Sequence, residues 1–187
     1  MKIITIPHPT LRDKAERVQK ITPEFIKFLS EMKGILSNTE NPKGVGLAAP
    51  QVDVLNRVFL TLIDDQNPKA IPQEFINPII KKHSNDYTFG PDPENPRLEG
   101  CLSMPGLYGP VPRWEWVELE YQAIYDGEFV DKKSRFDGFH ARVIQHEIDH
   151  LDGILFTDYS LEYDLPVYVE KKNELVELTD RGALELF

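Results

Sequence analysis

The chain has 187 residues, of which 41% are hydrophobic and 28% charged, and its formal net charge is −10. This is enough apolar material for one core, so residues 1–187 are expected to form a single domain. The negative charge disfavours broad binding to DNA or another polyanion. We find no signal-peptide pattern and no run of about 18 apolar residues that would predict a membrane span. A single cysteine, Cys101, excludes an intramolecular disulfide and fits a reducing, cytoplasmic location.

The first third of the chain alternates between strand and helix signals. Residues 2–6 predict a short strand. A threonine–proline pair followed by apolar residues at helical spacing predicts an amphipathic helix over residues 22–37. Residues 57–63 and 75–80 predict two more strands, and Pro78 places the second at a sheet edge or keeps it short.

Residues 44–51 read Gly-Val-Gly-Leu-Ala-Ala-Pro-Gln. The first six fit the glycine pattern of a dinucleotide-binding turn, but that turn needs a strand before it and a helix after it, and Pro42 and Pro50 disfavour both. A tight loop is the favoured interpretation, with glycines that let the backbone approach a ligand and with the amide of Gln51 as a donor. An ordinary loop is the alternative.

The middle of the chain predicts a surface loop followed by a hairpin. Residues 83–96 are polar and rich in glycine and proline, which is typical of a loop. Residues 116–125 alternate between apolar and polar side chains and form the clearest strand. Residues 125–128 then predict a hairpin turn.

Residues 145–153 read Gln-His-Glu-Ile-Asp-His-Leu-Asp-Gly and predict a metal-binding helix. His146 and His150 leave the same helical face one turn apart and can hold one metal ion. Glu147 can reach a water beside that ion as a general base. His140 lies about 120° round the helix from His146, so we do not count it as a ligand. The opposite face is apolar and is expected to meet the core: Ala141, Ile144, Ile148 and Leu151.

Spacing alone leaves the third ligand open. A metzincin would place it at Phe156, which cannot coordinate a metal. Glu170 stands where thermolysin-like proteases supply a glutamate, although extended chain precedes it, and Cys101 is the remaining candidate. A zinc endopeptidase and a non-enzymatic metal-binding protein are therefore alternatives. Glu147 and Gln51 argue against the second, because a structural metal site needs no base.

Three motifs occur together in one order: Gly-x-Gly-Leu-Ala-Ala-x-Gln at 44–51, Glu-Gly-Cys-x-Ser at 99–103 and Gln-His-Glu-x-Asp-His at 145–150. In these motifs the chain resembles the peptide deformylases, metalloenzymes that remove the formyl group from the N-terminal methionine of nascent proteins. The resemblance extends from about residue 6 to residue 159. It implies an α+β fold, with antiparallel strands packed around a central metal-binding helix, and leaves residues 160–187 as a divergent C-terminal tail.

The resemblance also implies the composition of the active site. Fe²⁺ is the expected native metal, and Zn²⁺, Ni²⁺ or Co²⁺ can replace it. Glu147 is the expected base, and the Gln51 amide and the Leu102 N–H are the expected donors to the oxyanion. The expected metal ligands are Cys101, His146 and His150. Replacing Glu147 by Ala should abolish turnover and spare metal binding, whereas replacing Cys101 by Ser should weaken metal binding itself.

The expected substrate is the N-formylmethionyl end of a peptide or nascent chain. By resemblance, the backbone of Val45 and Gly46 binds the peptide in an extended form. Val143 lies one turn before His146 and is expected to line the pocket for the methionine side chain. An ion pair between Glu99 and Arg113 is expected to brace this wall.

The C-terminal tail departs from the basic helix that many bacterial members use to contact the ribosome. Residues 170–187 are mildly acidic, and the short apolar runs at 168–169 and 175–176 fit a hairpin equally well. The tail therefore does not predict direct docking to the ribosome, and ribosome association is left open. No membrane partner is expected.

Overall fold

The computed structural model of the protein describes residues 1–40, 43–63, 70–92, 94–172, 174–180, 182 and 184. Its α-helices are α1 (Pro23–Asn38), α2 (Gly138–Leu151) and α3 (Phe156–Glu162). Its strands are β1 (Gly46–Ala48), β2 (Val58–Thr61), β3 (Gln73–His83), β4 (Tyr87–Thr88), β5 (Leu98–Cys101), β6 (Met104–Pro110), β7 (Arg113–Trp114), β8 (Trp116–Tyr125), β9 (Glu128–Asp137), β10 (Tyr168–Lys171) and β11 (Glu174–Glu177). The named strands pair in antiparallel fashion, which confirms the predicted α+β class.

The largest sheet has the strand order β1-β2-β3-β8-β9 and separates two helices. Successive side chains of a strand point to opposite faces, and β2 is buried on both. Phe59 belongs to the cluster that packs against α2, whereas Val58 and Leu60 belong to the cluster that packs against α1. The sheet thus packs against one side of α2, and the other side of this helix can carry a functional site.

Helix α1 confirms the predicted amphipathic helix. The Thr22 hydroxyl accepts a hydrogen bond from the Phe25 N–H and caps its N-terminus. Its buried side chains pack on the sheet: Phe25, Leu29, Met32 and Leu36.

Helix α2 confirms the predicted two-sided helix and its apolar face. Ala141, Ile144, Ile148 and Leu151 all lie in the core cluster that contains Phe59, Phe75, Val117 and Leu119. Gly153 follows the helix with a φ of 74°, the left-handed conformation that commonly ends helices.

A second sheet has the order β11-β10-β6-β5 and carries the C-terminal hairpin. Strands β10 and β11 pair with each other, and Tyr168 and Val169 of β10 lie opposite Tyr108 and Leu107 of β6. In the described part of the tail, β10 and β11 therefore pair against β6 instead of forming a basic helix.

Three predictions for the fold are wrong. Residues 2–6 are not a strand, although the Ile4 N–H donates to the Gln51 carbonyl and the Ile6 N–H to the Ser103 carbonyl. Residues 44–51 are not only a loop, since they contain β1 and the start of a short 3₁₀ helix (Ala49–Val52). Strand β3 is neither short nor at an edge, because a bulge between Ile76 and Ile79 accommodates Pro78 between two neighbouring strands.

Candidate active site

The structure brings Cys101, His146 and His150 together. One donor atom from each residue lies within 4.8 Å of the others. The Cys101 Sγ is 3.2 Å from the His150 Nε2. Cys101 is the last residue of β5, and both histidines come from α2, so the cluster joins the second sheet to the central helix.

The donor set and its surroundings fit a divalent cation. One thiolate and two imidazoles suit zinc and ferrous iron. The His146 Nδ1 is 3.0 Å from the Glu99 Oε2, which leaves Nε2 to face the cluster, as in histidines that ligate metals. Burial holds the pKa of His150 well below its usual value, which favours the neutral form that a metal ligand needs.

Glu99 lies at the centre of a buried ion-pair network. Arg113 donates to its carboxylate through Nε (3.0 Å) and a terminal nitrogen (2.9 Å), and Arg142 donates to it at 2.8 Å. Burial alone would raise the pKa of Glu99, but the charge of Arg113 and hydrogen bonds from His146 and Arg113 hold it well below its usual range. Glu99 is therefore an ionised acceptor that orients His146.

Glu147 is buried beside the cluster, and its Oε2 has no hydrogen-bond partner among the described residues. Burial raises its pKa to about 7, against the opposing charge of His146. Gly46 lies directly against this carboxylate, since a Cβ added there would overlap with the Glu147 Oε1. A buried carboxylate with such a pKa can take up and release a proton near neutral pH.

The side chain of Gln51 is fixed with its amide nitrogen towards the cluster. Its Oε1 accepts a hydrogen bond from the Ala48 N–H at 2.8 Å. Its Nε2 consequently lies 3.5 Å from the Cys101 Sγ and 3.4 Å from the Ser103 hydroxyl. The 3₁₀ helix that contains Gln51 is thus what aims its donor at the site.

A cleft of about 470 Å³ opens in front of the cluster. Helix α2 forms one wall, through Val143, His146 and Glu147, and residues 97–102 form another. The expected substrate residues Val45, Gly46, Glu99 and Val143 and the expected oxyanion residue Leu102 all line it. Arg113 does not line this cleft and lies behind Glu99.

The structure adds residues that the sequence reasoning missed. Arg142 reaches Glu99 and also donates to the backbone carbonyls of Val111 and Thr88. Asp149 pairs with Arg113 from within the histidine motif. The position of Asp149 within that motif could have indicated a functional role from the sequence alone. Arg142 lies in none of the motifs, so no such indication exists for it. Glu170, the alternative third ligand, lies on the C-terminal hairpin and accepts a hydrogen bond from Tyr108.

The sequence model of one family, described as polypeptide deformylase, matches residues 1–164. The chain belongs to this family. A peptide deformylase acts as a hydrolase on newly made polypeptides and removes their N-formyl group, and this chain is such an enzyme.

Deformylases from bacteria are similar over most of the chain. The peptide deformylase of Picosynechococcus sp. is 40% identical over 148 residues, which is 79% of this chain and 72% of that protein. The peptide deformylase of Maricaulis maris is 31% identical over 182 residues, 97% of both chains. The crystal structure of a peptide deformylase from Synechococcus elongatus in complex with actinonin superposes with a TM-score of 0.72 at 34% identity, covering 84% of this chain and 79% of that one.

None of the helices described here combines the length and apolar character that crossing a bilayer requires.

Proposed function

We propose that the cleft binds the N-formylmethionyl end of a polypeptide and that the residues around Glu147 hydrolyse its formamide bond. Water adds to the formyl carbon, the C–N bond breaks, and formate and a free amine leave. The observation that carries this proposal is the buried Glu147 Oε2 beside the Cys101, His146 and His150 cluster, for which the described part of the chain provides no hydrogen-bond partner. A structural metal site would need no such base.

Cys101, His146 and His150 would hold one divalent cation, and Glu99 would fix the tautomer of His146. Such a cation polarises a carbonyl oxygen and lowers the pKa of water. We propose Fe²⁺ as the native ion, with Zn²⁺, Ni²⁺ or Co²⁺ able to replace it. The thiolate and both imidazoles are acceptable ligands for all four metals.

Glu147 takes the proton from the attacking water and then delivers it to the departing nitrogen. Both transfers need a group whose pKa lies near the working pH. Burial provides this for Glu147, since its pKa is raised to about 7. Gly46 leaves the space that the Glu147 carboxylate occupies beside the cluster.

The Gln51 Nε2 and the Leu102 backbone N–H stabilise the oxyanion that develops on the formyl oxygen. Gln51 suits this role because the Ala48 N–H holds its oxygen away from the cluster. Leu102 follows Cys101 directly, so its N–H lies on the turn that also carries the thiolate. Loss of one such donor typically lowers a rate by about 10²–10³.

The peptide binds along β1, which is the edge strand of its sheet within the described residues. Gly46 of β1 and Val45 immediately before it line the cleft. An exposed strand edge can pair with an extended peptide. The methionine side chain extends along α2 towards Val143. Glu99 lines the cleft and, with Arg113 behind it, braces this wall.

The substrate partner is a formylated peptide or nascent chain, and ribosome association stays a prediction. We propose that residues 1–187 act as one catalytic domain, because the hairpin that follows the matched residues 1–164 pairs with β6 of the cleft. The cytoplasm is the proposed compartment, since translation supplies the substrate there and the Cys101 thiol needs reducing conditions.

The test is an anaerobic assay of protein loaded with Fe²⁺ on formyl-Met-Ala-Ser, which follows the free amine. Metal content is measured in the parent and in a Glu147→Ala variant. We expect turnover in the parent alone, with equal metal in both. Retained turnover in the variant would reject Glu147 as the base. A parent with a full metal site that cleaves only unformylated peptides would support the endopeptidase alternative.

A further inference from the structure

Tyr159 of α3 holds two charged residues of the buried network at once. Its hydroxyl donates to the Asp149 Oδ1 at 3.1 Å. The guanidinium carbon of Arg113 lies over its ring, 5.0 Å from the centroid. Asp149 and Arg113 also pair with each other, so each of the three side chains contacts the other two. None of the three lies within the catalytic cleft, and all of them line a second cavity behind α2.

The group of Tyr159, Asp149 and Arg113 is linked to the metal cluster through consecutive hydrogen bonds. Arg113 donates to both oxygens of Glu99, at 3.0 and 2.9 Å. Glu99 faces the His146 Nδ1 at 3.0 Å. The chain Tyr159–Asp149–Arg113–Glu99–His146 therefore connects the half-buried helix α3 to one of the proposed metal ligands on α2.

We propose that Tyr159 and Asp149 are positioning residues for the metal centre, which act on His146 through Arg113 and Glu99. This inference rests on the metal ligands assigned under the proposed function. Neither residue touches substrate or metal. They hold the guanidinium of Arg113 in an orientation in which it pairs with Asp149 on one side and with Glu99 on the other. In this arrangement Glu99 presents its Oε2 to His146.

Charge balance supports a role beyond packing. Glu99 and Asp149 provide two negative charges, and Arg113 and Arg142 provide two positive ones, all at side chains exposed by 14% or less. Without Asp149, Arg113 and Arg142 would share the single carboxylate of Glu99, and the network would carry a net positive charge beside the cation. His146 would then lose part of the acceptor that orients it.

The geometry also explains why a tyrosine suits this position. The ring supports the cation and the hydroxyl fixes the rotamer of the carboxylate, so one side chain constrains both members of the pair. Phenylalanine would keep the first contact and lose the second. The two contributions are therefore separable by substitution.

The test compares Tyr159→Phe with Tyr163→Phe, both loaded with Co²⁺. Tyr163 is a matched control, because it stacks on Tyr159 from one turn further along and is 51% exposed. Two quantities are measured: the rate of Co²⁺ release to excess chelator and the visible absorption bands of the bound ion. Neither depends on turnover, so the result is independent of the deformylase assay. Thermal unfolding of each variant reports any general loss of stability.

We expect Tyr159→Phe to release Co²⁺ about three- to tenfold faster than the parent and to shift the absorption bands, because partners of metal ligands typically change affinity by about 10–100-fold. Asp149→Asn should show the larger effect, and Tyr163→Phe should match the parent. A Tyr159→Phe variant that lowers only the melting temperature, with parental release rate and bands, would overturn the proposal. A parent that binds no Co²⁺ would reject the metal centre and this inference with it.

Discussion

The backbone of Gly46 lies so close to Glu147 that no side chain fits between them. A Cβ at this glycine would overlap with the Oε1 of the glutamate. The first motif of the sequence thus shapes the space around a residue of the third.

A Gly46→Ala substitution should therefore displace the carboxylate of Glu147 and lower kcat/KM for formyl-Met-Ala-Ser by about 100-fold, the lower end of the range for general acid–base catalysis. Metal content should stay at the parental level. Gly34→Ala in α1 is the matched control, because nothing lies within 4 Å of its added Cβ. Parental activity in Gly46→Ala would show that Glu147 tolerates the shift and would contradict the assigned geometry.

A Gln51→Leu variant should lose an oxyanion donor and keep its metal. We expect kcat to fall by about 10²–10³ with a smaller change in KM, since the donor acts mainly in the transition state. Steady-state kinetics with metal analysis make the measurement. Gln73→Leu, on an exposed strand position, controls for the substitution itself. A rise in KM alone would reassign Gln51 to ground-state binding of the substrate.

A Val143→Phe variant should block the pocket that takes the first side chain. Val143 is 6% exposed and lines the cleft, so the larger ring has to occupy cleft space. We expect kcat/KM for formyl-Met-Ala-Ser to fall at least about tenfold, by the cost of overpacking, and that for formyl-Gly-Ala-Ser to change little. An equal loss on both peptides would place Val143 outside the side-chain pocket.

His140 should make the folded state less stable in acid. Burial lowers its pKa from 6.5, so the unfolded chain binds a proton that the folded chain does not. Stability then rises with pH through the region just below 6.5 and is lost as pH falls through it. The Thr61 hydroxyl lies 3.3 Å from its Nε2, and His140→Gln keeps a polar partner there.

Urea unfolding of the parent and of His140→Gln between pH 5 and 8 measures this effect. The free energy of unfolding should depend less on pH in the variant below about pH 6.5, the ordinary histidine value. His140 is not a metal ligand, so metal release in acid should affect both proteins alike. Parallel pH profiles would show that His140 titrates equally in the folded and unfolded states.

Local patterns were sufficient for the helix that carries both histidines, but not for every element of the site or for the connections between them. The spacing of His146 and His150 predicts α2, and the alternation over residues 116–125 predicts β8, since both signals lie within one element. Pro78 misled the prediction for β3, because a bulge formed with a distant strand accommodates it. The 3₁₀ helix that aims Gln51 was missed, since its hydrogen bonds are not visible in composition.

The predicted cluster of Cys101, His146 and His150 is brought together, but its supporting charges could not be read from the sequence. Arg142 and Tyr159 lie 43 and 10 residues from the acids that they contact. Each looks like an ordinary helix residue until the fold places its partner. Long-range ion pairs of this kind have no sequence period, so only the three-dimensional structure reveals them.

The sulfur of Cys101, the last residue of β5, and the backbone N–H of Leu102, in the turn that leads to β6, belong to adjacent residues. A ligand that accepts a hydrogen bond from this amide would therefore lie beside the sulfur. In protein loaded with Co²⁺, the sulfur-to-metal charge-transfer band would then respond to occupancy of the neighbouring amide. Inhibitor binding would then be followed by the visible absorption of the Co²⁺-loaded protein, without a labelled substrate.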